Sequence, residues 1–275
     1  TRDAADLTTD EIIRLMIGRE LTNRYPPKNT VIGDELLRVE HLTGEYVKLK
    51  DVSFTARKGE IVGIAGLDGS GRTSLLSVLF GTASKKSGEI YLDGKHVRNR
   101  TPGESIKNGF ALVTEERRAT GILGILDIRA NTVIASLKKY LNGPFLSDKK
   151  MADATDSMIK AMRIKTPNQQ TKINTLSGGN QQKVIFGRWI LTQPDVLLLD
   201  EPTRGIDVGA KYEIYQLIQD LAKQGKAVVM VSSEMPELLG VCNRIVVMSG
   251  GRVAGEVDAD NTTQEEIMTL AAKYA

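Results

Sequence analysis

Residues 66–74 read GLDGSGRTS and have the composition of a phosphate-binding loop. Glycines let successive backbone N–H groups converge on an anion, and the start of a following helix adds a favourable dipole. The usual pattern is G-x-x-x-x-G-K-[ST]; here Arg72 replaces the lysine, and Thr73 keeps the hydroxyl that binds Mg²⁺. Three interpretations are open: a nucleotide site with one conservative change, a site that binds without turnover, or a coincidence of glycines. The predicted loop residues are Gly66, Leu67, Asp68, Gly69, Ser70, Gly71, Arg72, Thr73 and Ser74.

Two adjacent carboxylates follow a strongly apolar run later in the chain. VLLL at residues 196–199 predicts a buried strand, and Asp200 and Glu201 come directly after it. Because ligands of α/β sheets bind at the carboxyl ends of strands, Asp200 is expected to hold Mg²⁺, directly or through water. Glu201 is expected to orient or deprotonate an attacking water. The alternative is a solvated turn, and a phosphate loop in the same chain makes that alternative weaker.

A third segment, LSGGNQQKV at residues 176–184, places Ser-Gly-Gly directly before a helix of good helix formers. It predicts a second anion-binding helix terminus, this time with no strand before it. One fold rarely needs two phosphate-binding sites for one nucleotide, whereas a domain that dimerises across the nucleotide does. The alternative is an ordinary N-capped helix. The predicted signature residues are Leu176, Ser177, Gly178, Gly179, Asn180 and Gln181.

The elements that must position these residues alternate between strands and helices. Apolar runs predict buried strands at 60–65, 196–200 and 227–233, and 3.6-residue spacing predicts a helix over 212–225. This alternation implies a mostly parallel sheet. Further strands are predicted at 36–41, 47–55 and 88–95, a hairpin over 244–257 with Gly250 and Gly251 at its turn, and mostly helix over 122–170 with an interruption at 142–144.

Composition excludes several functional classes. The chain has 275 residues, of which 41% are hydrophobic and 26% charged, which is ordinary for a globular α/β protein. Its net charge of +3 is too small to indicate nucleic-acid binding. The single cysteine, Cys242, excludes an internal disulfide framework, and His41 and His96 are too few for a zinc site. No apolar run approaches the roughly 18 residues that a transmembrane helix needs.

The order of these motifs resembles the nucleotide-binding domain of ATP-binding-cassette (ABC) transporters. The resemblance rests on GLDGSGRT, LSGGN, VLLLDEPT, GID and a later strand that ends in SSE. Residues 110–122, 177–189 and 200–217 are more narrowly similar to the second of the two cassettes in bacterial monosaccharide importers of the ribose, xylose and galactose type. The galactose and methyl-galactoside branch is the most similar, and the resemblance covers essentially the whole chain.

The resemblance implies an α/β fold of the P-loop NTPase class, in the form of an ABC cassette. Such a fold has a RecA-like parallel sheet core, an antiparallel β subdomain and a helical subdomain, here expected over about 115–180 within a domain of residues 31–275. Residues 9–21 have the apolar spacing of an amphipathic helix and precede a Pro-Pro linker. Residues 1–30 are therefore expected to be a linker helix from a preceding cassette.

The resemblance also implies a function, which is ATP binding and hydrolysis coupled to monosaccharide uptake, with ATP and Mg²⁺ as cofactors. The implied partners are a preceding cassette of the same polypeptide, transmembrane permease subunits and, indirectly, a periplasmic or extracellular sugar-binding protein. No nucleic acid is implied. The implied location is the cytoplasmic face of the bacterial inner membrane. Residues 115–175 would contact a coupling helix of the permease, although the EERR run at 115–118 is otherwise typical of a solvated charged turn.

Four positions depart from, or complete, the family pattern. Glu115 stands where most cassettes have the glutamine of the lid loop, and Ser233 stands at the switch histidine and cannot supply a titratable imidazole. Asn180 replaces the commoner glutamine of the signature, and Asp207 keeps the aspartate loop. The expected catalytic residues are Glu201 and Ser233, and the expected Mg²⁺ ligands are Thr73, Asp200 and Glu115.

These departures predict a slow, degenerate nucleotide site, while the signature segment completes the site of the partner cassette. The isolated domain is accordingly expected to be weakly active or inactive. Two other classes remain open. One is a regulatory or scaffold domain that binds nucleotide without hydrolysis, favoured by Arg72 and Ser233; the other is a soluble cassette protein. Within the importer class, ribose, xylose or a nucleoside are alternative substrates.

Overall fold

The computed structural model describes residues 24–28 and 30–275. The helix predicted at residues 9–21, and with it most of the expected linker helix of residues 1–30, lies outside the described residues. Within the described part, no helix combines the length and the apolar character that crossing a bilayer requires.

The described residues form twelve strands and eight α-helices, numbered here in chain order. The strands are β1 Glu35–Gly44, β2 Val52–Arg57, β3 Ile61–Gly66, β4 Lys85–Leu92, β5 Lys95–Val97, β6 Phe110–Val113, β7 Leu141–Asn142, β8 Phe145–Leu146, β9 Val196–Asp200, β10 Ala227–Val231, β11 Arg244–Ser249 and β12 Arg252–Asp258. The helices are α1 Arg72–Phe80, α2 Pro102–Lys107, α3 Ile128–Val133, α4 Asp148–Ala161, α5 Gly178–Ile190, α6 Val208–Lys223, α7 Met235–Val241 and α8 Gln264–Ala271.

A six-stranded sheet forms the centre of the molecule, with the strand order β12-β11-β3-β10-β9-β6. All neighbouring pairs are parallel except β11 and β12, which form the predicted antiparallel hairpin. Every residue of β3, β9 and β10 is buried, because both faces of the sheet are covered. This explains why these strands read as unbroken apolar runs rather than as alternating ones. The prediction of a mostly parallel α/β core is confirmed.

Two apolar cores lie on opposite faces of this sheet. On one face, Leu197 and Leu199 of β9 pack with residues of α5, α6, α7 and α8. On the other face, Val196 and Leu198 pack with α1 and with the antiparallel sheet β2-β1-β4-β5. Trp189 of α5 reaches round the edge and meets Phe80 of α1 edge to face, with ring centroids 5.6 Å apart. The arrangement fixes the end of β3, the start of α1 and the end of β9 relative to one another.

The strand predicted at residues 47–55 is wrong in its first half. Strand β2 begins only at Val52, and the preceding residues form a tight loop in which the Leu49 N–H donates to the Val47 carbonyl at 2.8 Å. The Gly44 N–H closes the loop on the Leu49 carbonyl at 3.0 Å, and Asp51 has a positive φ of 54°. The alternation in VKLKDVSFT therefore continues across a turn, which a period of two does not reveal.

The prediction of mostly helix over residues 122–170 holds only in part. Helices α3 and α4 cover two stretches of it, and a 3₁₀ segment at Ile134–Tyr140 follows α3. The predicted interruption is a small hairpin, β7-β8, whose turn is made possible by Gly143 at φ 62°. Residues beyond α4 are mostly irregular until α5. The helix predicted over 212–225 begins earlier, at Val208, because the Asp207 side chain caps the Ala210 N–H at 2.9 Å.

Candidate nucleotide-binding site

The predicted phosphate loop connects the end of β3 to the start of α1. Gly66 and Gly71 both have positive φ, of 151° and 101°. A Cβ at Gly66 would lie 2.4 Å from the Met248 carbonyl oxygen, and one at Gly71 would lie 2.4 Å from the Lys48 carbonyl oxygen. Neither position has room for a side chain. The glycine spacing is thus a requirement of the backbone path and not a coincidence of composition.

Ser70 supplies an unsatisfied polar group inside this loop. The residue is 4% exposed, yet its hydroxyl oxygen has no hydrogen-bond partner among the described residues. Its backbone is fully used, since the N–H donates to the Leu67 carbonyl at 3.0 Å and the carbonyl accepts from Gly251 at 2.9 Å. A buried hydroxyl without a partner is costly, which makes the loop suited to a bound polar ligand.

The Arg72 side chain crosses the site instead of extending into solvent. Its Nη1 donates to the Ser232 carbonyl at 3.0 Å, and its Nη2 lies 3.3 Å from Asp68 Oδ1. The Arg72 side chain is 11% exposed, whereas Asp68 is fully exposed. The guanidinium is therefore anchored mainly at the end of β10, one residue before Ser233, and it places positive charge beside the carboxylates of the site.

Thr73 and Asp200 lie together, as the sequence predicts. The Thr73 hydroxyl approaches Asp200 Oδ1 at 3.4 Å, and Asp200 is buried at the carboxyl end of β9. Burial raises the pKa of Asp200 to about 6. The Thr73 hydrogen bond and the Arg72 charge lower this pKa, while the Glu115 charge raises it. A Thr hydroxyl beside an aspartate at a strand end is a donor set that suits Mg²⁺.

Glu201 is held in an unusual backbone conformation directly after β9. Its φ is 47°, its N–H donates to the Val231 carbonyl at 3.1 Å, and its Oε2 accepts from the Ser233 hydroxyl at 3.2 Å. Burial raises the pKa of Glu201 to about 7, against the lowering effects of Arg72 and Ser233. A carboxylate that exchanges its proton near neutral pH can act as a general base.

These groups surround an open cavity of about 590 Å³. The structure brings together the loop, Glu115, Glu201 and Ser233, all of which the sequence predicts for one site. Its lining residues are Lys48, Asp68, Gly69, Ser70, Gly71, Arg72, Thr73, Ser74, Glu115, Glu201, Arg204, Val231 and Ser233. Tyr46, an aromatic residue in the loop before β2, does not line this cavity and is 86% exposed.

Glu115 is paired with the side chain of Arg204, a residue that the sequence analysis did not predict for the site. Its carboxylate forms an ion pair with Arg204, which also lies 3.7 Å from Glu116. Among the described residues, no group of three His, Cys, Asp or Glu side chains could hold a metal ion by itself. Mg²⁺ characteristically binds through one or two protein ligands and phosphate oxygens. The part of Glu115 in metal binding stays a prediction.

The signature segment begins α5 and is built differently from an ordinary N-cap. Ser177 precedes the helix, but its side chain does not cap it; the Ser177 hydroxyl instead accepts from Asn180 Nδ2 at 2.9 Å. Gln181 is buried, and its Nε2 donates to the carbonyls of Ile173 and Leu176. None of residues 176–181 lines the 590 Å³ cavity. The segment therefore presents an exposed serine away from the chain's own phosphate loop.

The two signature glycines are both close to neighbouring groups. A Cβ at Gly178 would lie 2.9 Å from Arg117 Nη2, and one at Gly179 would lie 2.5 Å from the Ala210 Cβ. Arg117 also donates to Gln181 Oε1 at 3.1 Å and to the Arg204 carbonyl at 3.3 Å. Arg117 thus links the signature segment to the turn after Glu201.

Sequence reasoning missed the supporting residues of the site. Arg117 stood out only as part of a charged run, because its partners lie 64 and 87 positions away in the chain. Arg188 gave a local signal, as a charged residue within the otherwise apolar run VIFGRWI at the end of α5. It is buried and donates to the carbonyls of Asn131 and Gly121 at 2.6 and 2.7 Å, and burial lowers its pKa to about 10.

The residues that form this site lie within a segment that matches a known protein family. Residues 49–204, which include the phosphate loop, the signature segment and the Asp200–Glu201 pair, match the family model described as ABC transporter. The chain belongs to the ABC transporter family. The predicted family and cassette-type fold are therefore confirmed.

The chain is similar to proteins called galactose/methyl galactoside import ATP-binding protein MglA. The one from Clostridium perfringens is 57% identical over 275 residues, which is 100% of this chain and 53% of that protein. The one from Fusobacterium nucleatum is 56% identical over 276 residues, or 100% of this chain and 55% of that protein. The chain thus spans about half the length of these relatives.

Solved structures of ABC cassettes share the fold at lower sequence identity. MJ1267, an ATP-binding cassette of an ABC transporter, superimposes with a TM-score of 0.74 at 20% identity, over 87% of this chain and 100% of that one. The cassette MJ0796, in a dimeric post-hydrolysis structure bound to ADP and Pi, gives a TM-score of 0.70 at 22% identity, over 82% and 100% of the two chains. At these identities the likeness concerns the fold.

Proposed function

We propose that this chain is an ATP-binding cassette of a bacterial sugar importer and that it binds ATP with Mg²⁺ at residues 66–74. The observation that carries the proposal is the glycine loop with its buried, unpartnered Ser70 hydroxyl, next to the Thr73–Asp200 pair. The loop has backbone N–H groups and a helix start suited to phosphates. The names of the two MglA relatives support galactose or methyl galactoside as the imported sugar.

Each residue of the site has a proposed task. Arg72 supplies the positive charge that lysine gives in the usual loop, although its planar fork is bulkier than a lysine ammonium. Thr73 and Asp200 would hold Mg²⁺, which when bound neutralises negative charge on the phosphate oxygens. Glu201 would take the proton of an attacking water, and its pKa of about 7 suits that task. Ser233 orients Glu201 through its hydrogen bond.

Coupling to a permease is the second part of the proposal. A groove of about 490 Å³ lies between α1 and α5, and Thr73, Glu115 and Asp200 are among the residues that line it. Its walls include the apolar side chains of Leu76, Phe80, Leu112, Ile185 and Trp189. A groove that joins the metal-binding residues to an apolar surface supports contact of residues 115–175 with a permease helix at the cytoplasmic face of the membrane. The sugar would reach the permease from a periplasmic or extracellular binding protein.

The third part is asymmetry between two cassettes. Ser233 cannot replace a switch histidine, and Glu115 adds negative charge near the phosphates, so hydrolysis at this loop is proposed to be slow. Ser177 is exposed and its segment lies outside the chain's own cavity, which supports a role in completing the site of a preceding cassette. The isolated chain would then be weakly active or inactive. A nucleotide-binding scaffold without hydrolysis is the alternative that Arg72 and Ser233 favour.

The proposal that ATP binds together with Mg²⁺ at residues 66–74 is tested by calorimetric titration of ATP with and without Mg²⁺. We expect saturable binding of MgATP by the wild-type chain and clearly weaker binding without the metal. Thr73→Val removes the hydroxyl at nearly constant shape and should reduce the effect of Mg²⁺, whereas the matched control Thr73→Ser should preserve it. Absence of binding at millimolar MgATP would contradict both the transporter and the scaffold proposals.

The asymmetry is tested by ATP turnover of the polypeptide that contains this chain together with a preceding cassette. Ser177→Arg should abolish most turnover, because it places a bulky cation on the signature that faces the partner's nucleotide. Arg72→Ala should have the smaller effect. A larger loss from Arg72→Ala than from Ser177→Arg contradicts the assignment of the faster site to the partner.

A further inference from the structure

Glu237 is a buried carboxylate behind the candidate site. It lies in the first turn of α7, has no exposed surface, and does not line the 590 Å³ cavity. Its Oε1 accepts a hydrogen bond from the Thr203 hydroxyl, and its Oε2 accepts one from the Ser232 hydroxyl. The Tyr215 hydroxyl of α6 lies near it: burial raises the pKa of Tyr215, and the Glu237 charge adds to that rise. The buried carboxylate therefore has two hydroxyl donors, as its burial requires.

The donors come from separate segments that carry the site. Thr203 lies two residues after Glu201, on the turn that leaves β9. Ser232 ends the β10 segment and immediately precedes Ser233. Hydrogen bonds to an ionised acceptor are stronger than neutral ones, so one carboxylate joins these two segments firmly. The Ser232 hydroxyl also accepts from the Glu234 N–H at 3.0 Å, which fixes its own orientation.

The joined segments hold the groups that would act on the nucleotide. Ser233 Oγ and Glu201 Oε2 are 3.2 Å apart, one on each segment. The Ser232 residue held by Glu237 also offers its carbonyl to Arg72 Nη1 at 3.0 Å. A shift of Ser232 would therefore move the anchor of Arg72 as well as Ser233.

We propose that Glu237 is a positioning residue for the nucleotide site, which fixes Glu201, Ser233 and Arg72 relative to one another through Thr203 and Ser232. The inference rests on the proposed function, because it takes Glu201, Ser233 and Arg72 to be residues of the nucleotide site. It adds a role for a residue that does not line the 590 Å³ cavity. No local sequence pattern points to it, because Thr203 and Glu237 are 34 residues apart.

The outer side of this cluster is covered by Tyr25. The Tyr25 ring packs on Tyr215 with ring centroids 5.4 Å apart and an interplanar angle of 47°. The Glu237 charge also acts on the titratable groups of Tyr25, Tyr215 and Cys242. Burial is the main cause that raises the pKa of each of these three groups, and the Glu237 charge adds to it. Only hydroxyl groups donate to the Glu237 carboxylate; no cation is paired with it among the described residues.

The test uses the whole chain and variants that remove one hydroxyl at a time. Thr203→Val and Ser232→Ala each remove one donor, and Thr203→Ser is the matched control that keeps the hydroxyl. One readout is the backbone amide NMR signal of the residue on the opposite segment: Ser233 for the Thr203 variants and Glu201 for Ser232→Ala. The second readout is the MgATP dissociation constant. Glu237→Gln is added to ask whether the effect of Thr203→Val depends on the carboxylate.

We expect Thr203→Val to move the Ser233 amide signal and to weaken MgATP binding about fivefold, the factor expected for one ordinary hydrogen bond. Thr203→Ser should behave like the wild type. Thr203→Val should have a smaller effect in the Glu237→Gln background, because the amide oxygen of glutamine accepts the Thr203 hydroxyl more weakly than a carboxylate does. Unchanged cross-segment signals in Thr203→Val and Ser232→Ala overturn the inference, whether or not Glu237→Gln folds. Absence of MgATP binding by the wild type overturns the proposed function instead, and the NMR signals still decide the role of Glu237.

Discussion

At the scale of single residues, the site combines a changed cation with two carboxylates that are difficult to ionise. Arg72 keeps the positive charge of the usual lysine but is anchored to the Ser232 carbonyl. Burial raises the pKa of Asp200 to about 6 and that of Glu201 to about 7. Both carboxyl groups thus hold their protons more tightly in the folded chain than in the unfolded one.

This difference predicts how stability changes with pH in the absence of nucleotide. Below pH 4.5, Glu201 is protonated in both states; between pH 4.5 and about 7, the unfolded chain has released the proton and the folded chain retains it. Stability should therefore fall as pH rises through this window. Glu201→Gln should reduce that fall, and at pH 8 it should be more stable than the wild type by about 1 kcal/mol, after allowance for solvent screening of a partly exposed group.

The measurement is urea unfolding of wild type and Glu201→Gln from pH 4 to pH 8. Exposed Glu265→Gln serves as the control, because Glu265 lies on the surface of α8. Parallel pH profiles for wild type and Glu201→Gln would contradict the raised pKa.

At the scale of elements, the start of α5 depends on its contact with α6. A Cβ at Gly179 would lie 2.5 Å from the Ala210 Cβ, whereas one at Gly187, two turns further along α5, would lie 3.4 Å from the nearest atom, the Met158 Cβ. One glycine of this helix is therefore required by packing, and the other is not.

Alanine at these two glycines should have opposite effects. Gly179→Ala should lower the free energy of unfolding by about 1–2 kcal/mol, because the steric cost exceeds the gain in helix propensity. Gly187→Ala should be neutral or stabilising by up to about 1 kcal/mol. Chemical denaturation measures both, and Ala210→Gly should rescue Gly179→Ala. A destabilised Gly187→Ala together with an unaffected Gly179→Ala would show that the packing of α5 is described wrongly.

The elements were predictable from the sequence where burial alone determines their pattern. The apolar runs of β3, β9 and β10 indicated strands, and the glycines of residues 66–74 indicated the loop between β3 and α1. The loop before β2 was not predictable, because its hydrogen bonds from Leu49 to Val47 and from Gly44 to Leu49 leave the alternating pattern intact. Short helices α2 and α7 offer too few turns for a periodic pattern to be recognised.

The residues of the candidate site were likewise predictable only where they belong to a local motif. Arg72, Thr73, Asp200 and Glu201 belong to local motifs, so their types and spacing identified them. Arg117 contacts partners 64 and 87 residues away, and Glu237 contacts Thr203 across 34 residues, although its other partner, Ser232, is only 5 residues away. The long-range pairings arise only when the sheet is assembled. The sequence could therefore predict the groups that come together at the candidate site but not the residues that hold them in place.

At the scale of the whole molecule, residues 24–28 are packed against the back of the site. Tyr25 contacts Tyr215 of α6 and lies over Gly240 of α7, where a Cβ would come within 2.2 Å of the Tyr25 ring. Further along, Lys28 pairs with Asp260 at 2.6 Å. Residues 24–28 are thereby joined to α6 and α7, the elements around Glu237.

This packing predicts a coupling between two positions far apart in sequence. Gly240→Ala should lower the free energy of unfolding by about 1–3 kcal/mol, because the Tyr25 ring must move. In a Tyr25→Ala background the same change should cost much less, since the ring is absent. Urea unfolding of both single variants and the double variant measures the difference. Strictly additive effects would mean that Tyr25 does not occupy the space beside Gly240.

The central claim is that this cassette binds nucleotide at residues 66–74 with Arg72 in place of lysine. The most direct measurement is the MgATP dissociation constant of wild type, Arg72→Ala and the control Arg100→Ala, determined by titration calorimetry; the Arg100 side chain is 67% exposed and lies outside the cavity. We predict saturable binding by the wild type, about tenfold to hundredfold weaker binding by Arg72→Ala, as expected for loss of a charged hydrogen-bond donor, and near wild-type binding by Arg100→Ala. No binding by the wild type, or equal affinities for wild type and Arg72→Ala, would contradict the claim.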